Sequence, residues 1–122
     1  MKYSILCFES PAEFAARTDP SKMAAYWGAV GQYMKALKDA GVFAGGAGLE
    51  LPDTATTVRY RNGERLVQDG PYADTKEQLG GLFIIEVPNL DSALEWAARF
   101  PQQPGRVIEV RPNLMPMEPE KP

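Results

Sequence analysis

The sequence predicts an α+β fold: a ferredoxin-like split βαβ sandwich with an inserted β-hairpin, dimerising sheet to sheet. Three features carry that prediction. Two stretches, 23–37 and 90–100, repeat apolar residues at helical spacing and are separated by strand-like segments. Between them Asn62-Gly63 joins two β-rich runs, the strongest short-range hairpin signal in the chain. Third, L-F-I-I-E-V at 82–87 is apolar on both faces, as only a strand covered on both faces should be. Two helices can cover one face of such a sheet. A second copy of the chain is the simplest cover for the other, and a closed two-fold dimer is the commonest oligomer.

Taken in order, Lys2–Phe8 has strand length and a polar stop at Glu9-Ser10-Pro11. Pro11–Arg17 is short and reads as a single helical turn. Asp19-Pro20 marks the start of the first long helix, with aspartate as cap and proline at the first helical position. Met23, Tyr26, Trp27, Val30, Tyr33, Met34 and Leu37 form its apolar stripe, read as core, and Gly41 ends it. Val42–Leu51 is a strand whose glycines match neither G-x-G-x-x-G nor a Walker loop and instead permit a bulge or close backbone approach.

After a turn at Pro52–Ala55, the hairpin pairs Arg61 with Glu64, Tyr60 with Arg65 and Val58 with Val67. Alternation puts Val58, Tyr60, Arg65, Val67 and Asp69 on one face and leaves Arg59, Arg61, Glu64 and Leu66 on a more solvated one. Asp74…Glu77 and Thr75…Gln78 are overlapping capping boxes, read as a short capped turn closed by Gly80-Gly81. Gly81–Val87 is the central strand, Leu90–Phe100 the second helix, Gln102–Gly105 a loop and Arg106–Arg111 the last strand. Four prolines among the final eleven residues forbid regular structure, so residues 1–112 form the domain and 113–122 a Pro-rich tail.

Composition excludes several function classes. A chain of 122 residues is one domain. Net charge is −3 and no two basic residues are adjacent, so nothing offers the basic stripe a nucleic-acid partner requires. There is one cysteine, Cys7, read as a buried, inert thiol, and no histidine. That rules out an intrachain disulfide, His-dependent triads and imidazole metal sites, and leaves carboxylates as the only candidate metal ligands; no metal or cofactor is expected. The apolar start is too short for a secretion signal, and no run approaches the roughly 20 apolar residues that cross a bilayer. The expected location is cytoplasmic, without a membrane partner.

The run D-G-P-Y-A-D-T-K-E-Q-L-G-G-L-F-I-I-E-V-P-N-L-D-S-A-L-E-W-A-A-R, with A-G-V-F-A-G-G, T-A-T-T-V-R and V-I-E-V-R-P, resembles the YCII-related family in its DGPF-motif branch. Tyr72 stands where that motif carries phenylalanine. The resemblance implies a dimeric α+β barrel and, for some relatives, an association with extracytoplasmic-function sigma factors. For the wider family, which includes a chloromuconolactone dehalogenase, it implies a His–Asp pair. Here the histidine is missing, and the helix position where it would fall is apolar, near Val30. Asp69 matches the motif aspartate and is the one residue the resemblance carries over.

Asp69-Gly70-Pro71 has two readings. Aspartate before Gly-Pro caps a chain reversal; alternatively Asp69, beside Tyr60 and Arg65, is a catalytic carboxylate tuned by those neighbours. On the second reading the protein is a small-molecule-binding homodimer, a cofactor-independent lyase or isomerase. Asp69 is its base, Arg65 or Arg111 holds an anionic substrate, and Tyr60 or Tyr72 donates a hydrogen bond. A different class is a non-catalytic regulatory or interaction module linked to a sigma factor. A third possibility is that the segment only builds the dimer. Glu86, Glu109 and Arg111 are strand charges that suit either a dimer interface or a polar cavity.

Overall fold

The computed structural model describes residues 1–101 and 103–115. Its strands are β1 (Lys2–Glu9), β2 (Phe43–Gly48), β3 (Thr56–Arg61), β4 (Glu64–Asp69), β5 (Gln78–Glu86) and β6 (Val107–Pro112). The helices are α1 (Pro11–Ala16), α2 (Met23–Asp39) and α3 (Leu90–Ala98), with a single 3-10 turn at Pro52–Thr54. An antiparallel sheet runs in the order β2-β5-β1-β6, and β3-β4 forms a separate two-stranded ribbon. This is the ferredoxin-like α+β arrangement the sequence predicts. Among the described residues, no helix is long and apolar enough to cross a membrane.

Alternation along the two central strands decides where the core sits. Tyr3, Ile5 and Cys7 of β1 and Phe83 and Ile85 of β5 point to the helical layer and are buried with Tyr33 and Leu37 of α2 and Ala93 of α3. Tyr33 is the hub. Its ring meets Phe83 and Phe100 edge-on at 5.3 and 5.0 Å, and its hydroxyl donates to the Trp96 carbonyl at 2.8 Å. On the opposite face Leu6, Phe8, Leu82 and Ile84 are half-buried, and among the described residues no helix lies over them.

The hairpin register matches the predicted pairs, and Asn62 and Gly63 take φ of 52° and 79°, as its two-residue turn demands. Its setting differs from expectation. Because the ribbon stands apart from the main sheet, both of its faces are exposed, not just one. Gly41 closes α2 at φ 72°, as predicted.

Other boundaries move. α1 is a true helix, secured by a capping box in which Ser10 Oγ accepts from the Glu13 amide and the Glu13 carboxylate accepts from the Ser10 amide. The expected Asp19 cap forms, its carboxylate accepting from the Ser21 amide and hydroxyl and its carbonyl from the Met23 amide, but residues 20–22 make a turn and α2 proper begins at Met23. No helical turn forms at 74–77; the Gln78 side chain donates to the carbonyls of Ala73 and Thr75 instead. Gly80-Gly81 therefore lies inside β5 and does not end a helix. A Cβ at Gly81 would sit 3.0 Å from the Ala47 carbonyl oxygen, so the pair serves close strand approach. Asn113 continues the β6 edge, its amide donating to Lys2 O, while residues 116–122 of the predicted tail lie outside the described residues.

Candidate functional site

The inward parity that buries Tyr3, Ile5 and Cys7 also brings Glu9 beneath the helices, leaving the residue 3% exposed. A carboxylate taken from water there needs hydrogen bonds and a countercharge. Arg17, just past α1, supplies both. Its Nη2 donates to Glu9 Oε2 at 3.2 Å and to Gly80 O at 3.0 Å, its Nη1 donates to Leu49 O, and its Nε donates to the Tyr26 hydroxyl at 3.0 Å. That hydroxyl in turn donates to Glu9 Oε1 at 2.5 Å. The guanidinium also lies over Phe14, 4.8 Å from the ring centroid, and faces the Tyr26 and Trp27 rings.

A second ion pair lies behind the first. Arg106, in the segment leading into β6, holds Glu13 Oε2 at 2.6 Å through Nε and approaches Glu9 Oε1 at 3.8 Å. Two carboxylates and two guanidiniums thus balance, with every one of these side chains at or below 9% exposure. Gly80 is required beside them, since a Cβ there would fall 2.9 Å from Glu9 Cδ and 3.0 Å from Arg17 Nη2.

Glu9, Arg17 and Tyr26 form the polar end of a cavity of about 480 Å³ between α2 and the β2–β5 edge of the sheet. Trp27, Val30 and Met34 line it from the helix, and Gly46, Gly80 and Gly81 from the strands. Its volume falls within the range of small-molecule sites. Among the described residues no group of three or more cysteine or acidic side chains could hold a metal ion.

Two groups at the cavity are held protonated at neutral pH. Burial pushes the Tyr26 phenol up from 10.0 to about 12, with the hydrogen bond to Glu9 adding to it. Burial likewise lifts the Cys7 thiol from 9.0 to about 12, against the lowering effect of Arg106. The folded state keeps protons that the unfolded chain releases, so this part of the stability is intact below pH 9 and is lost as pH rises towards 12. Alkaline unfolding followed by circular dichroism is expected to begin in that window. Cys7→Ala should flatten the slope nearest pH 9, and an unchanged slope would contradict the assignment.

The residues expected from the sequence lie elsewhere. Tyr60 and Arg65 are directly paired, and Asp69, opposite Thr56, shares their face of the ribbon as predicted; all three are exposed. Tyr72 is 75% exposed, with the Arg59 guanidinium 5.4 Å from its ring centroid. Arg111 is on the main sheet, bonded to Glu109 at 2.7 Å in the open. None of the five lines the cavity. What anchors Asp69-Gly70 is backbone: the Gly70 amide donates to Ala55 O, and its carbonyl accepts from the Thr57 hydroxyl, each at 2.7 Å. Sequence pattern alone does not single out Glu9, Arg17 or Arg106. The usable signals were Glu9 at the same strand parity as three core residues and the Ser10…Glu13 capping box just after it.

A family model for the YCII-related domain matches residues 1–114. An uncharacterised protein of Rhizobium meliloti (strain 1021) is 34% identical over 99 residues, spanning 80% of this chain and 77% of that protein.

Proposed function

The chain belongs to the YCII-related domain family, and from that premise we propose that it is a small-molecule-binding homodimer of the DGPF-motif branch, with its ligand site between α2 and the sheet. One observation carries the reading: a cavity of about 480 Å³ that ends on a buried Glu9–Arg17–Tyr26 cluster. Rigid polar groups at the end of an apolar slot orient a ligand without further ordering cost.

Gly31 offers a clean test, because it lines the cavity and a Cβ there meets nothing within 4 Å. Gly31→Phe should fill the slot while improving helix propensity. In a thermal-shift screen, compounds that stabilise the wild-type chain are expected to lose their effect on Gly31→Phe and keep it on Asp69→Asn. Hits insensitive to Gly31→Phe would remove the cavity from the proposal. Hits lost in Asp69→Asn would favour the hairpin face, where a carboxylate, a phenol and a guanidinium could serve a lyase or isomerase.

The homodimer is supported by the half-buried Leu6, Phe8, Leu82 and Ile84 on a sheet face without helices. Sedimentation at micromolar concentration tests it, and a monomer would exclude it. A second reading, an interaction module of the kind associated with sigma factors, draws on the ribbon: Val58, Tyr60 and Val67 are more than half exposed there. Capture of a sigma factor that Tyr60→Ser abolishes would favour that reading over ligand binding.

A further inference from the structure

We infer that the cavity takes an uncharged, flat ligand, a ring system with one neutral hydrogen-bond acceptor at its Arg17 end, and rejects carboxylates and amines of the same shape. This rests on the cavity being a ligand site.

The charge argument starts from Arg17. A guanidinium has five N–H groups. Four of the donor–acceptor contacts are already made, to Tyr26 Oη, Leu49 O, Glu9 Oε2 and Gly80 O. One N–H remains for a ligand. A neutral carbonyl or hydroxyl oxygen can accept it without disturbing anything. A carboxylate would have to share the guanidinium with Glu9, like charge beside like charge, and the next cation inward, Arg106, is committed to Glu13 at 2.6 Å. A ligand ammonium would meet Arg17 itself. Either ion leaves water for a site whose charges are already matched, which is the costly case. Glu50 on the lining adds a further carboxylate that disfavours anions; it is exposed, so water screens its attraction for an ammonium.

The shape argument comes from side chains that are missing. The strand wall presents Gly46, Gly80 and Gly81, and the helix wall is thinned at Gly31. At Gly46 a Cβ would approach Leu82 O to 2.7 Å, so that stretch of wall stays bare backbone. Glycines on both the helix and the strand side leave room between the aromatic residues Trp27 and Phe83 that also line the cavity, which suits a ring better than a branched chain.

Calorimetric titration of the intact protein with three matched probes tests the inference: 2-naphthalenemethanol, 2-naphthoate and 2-naphthylmethylammonium. The alcohol is expected to bind at least about tenfold more tightly than either ion, and Gly31→Phe to abolish its heat. If an ion binds as tightly as the alcohol and Gly31→Phe removes that binding, the charge preference is wrong and the cavity stands as a ligand site. If none of the three gives heat that Gly31→Phe removes, the inference fails together with the reading beneath it.

Discussion

Arg17→Met is expected to lower folding stability by about 3–5 kcal/mol, because it strands the Glu9 carboxylate among buried neighbours. Both side chains are nearly out of water, at 9% and 4% exposure, so solvent cannot take over the role of the guanidinium. Methionine fills much of the space but replaces none of the donors to Glu9, Tyr26, Gly80 and Leu49. Arg106, 3.8 Å from Glu9, is the nearest remaining cation and is already engaged. For a domain of this size the loss corresponds to a fall in Tm of roughly 10–20 °C. Arg17→Lys separates charge from geometry. It keeps a cation but cannot reach four acceptors from one planar group or lie flat over Phe14, so it should lose about 1–3 kcal/mol. Urea unfolding with an unchanged m-value measures both. A loss below about 1 kcal/mol for the methionine variant would mean that Glu9 finds another partner, and the cluster would not be the rigid end of a site.

Much of the fold was legible because it depends on short-range pattern. The ribbon register follows from Asn62-Gly63 and two-residue alternation, and it appears pair for pair in β3 and β4. The α2 stripe follows from helical spacing, and Tyr33 and Leu37 are buried as that spacing requires, whereas Met23 and Trp27, read as core, are 41% and 48% exposed. Local pattern also misled. Thr75…Gln78 has the spacing of a capping box, but the chain there is already entering β5, whose pairing with β1 outweighs one helical turn. Asp19 does cap the Ser21 amide, yet residues 20–22 close into a turn and the helix proper starts only at Met23.

The cavity was harder to see for a different reason. Asp69-Gly70-Pro71 draws attention because its residues are conformationally specific, and Gly70 does take φ of 97°. Conformational specificity shapes backbone; it does not by itself make a pocket. The cluster at the cavity joins β1, the α1–α2 connection, α2 and the approach to β6 through side chains far apart in the chain. No spacing rule links Glu9 to Arg106. Beside the Ser10…Glu13 capping box, the trace in the sequence is a glutamate on the apolar parity of a buried strand, which demands a partner without saying where it lies.

Arg106→Met tests whether that partnership is one network or two separate pairs. Arg106 is 4% exposed, holds Glu13 at 2.6 Å, donates to Pro101 O and lies 5.1 Å from the Phe100 ring centroid. Its loss removes the ion-pair partner of Glu13 and leaves two buried carboxylates sharing one guanidinium, so a drop of about 3–5 kcal/mol is expected. Glu13→Gln in the same chain should recover about 1–3 kcal/mol. Glutamine removes the stranded charge and keeps an oxygen to accept from the Ser10 amide, so the α1 cap survives. Strict additivity of the two substitutions in urea unfolding would show that Glu13 and Arg106 do not act together. The two arginines should then part company in binding. Arg17 lines the cavity and Arg106 does not, so at a temperature where both variants are folded, 2-naphthalenemethanol affinity should fall about tenfold in Arg17→Lys and hold in Arg106→Met. Equal losses in both would mean that the ion network as a whole, not the Arg17 N–H, sets the affinity.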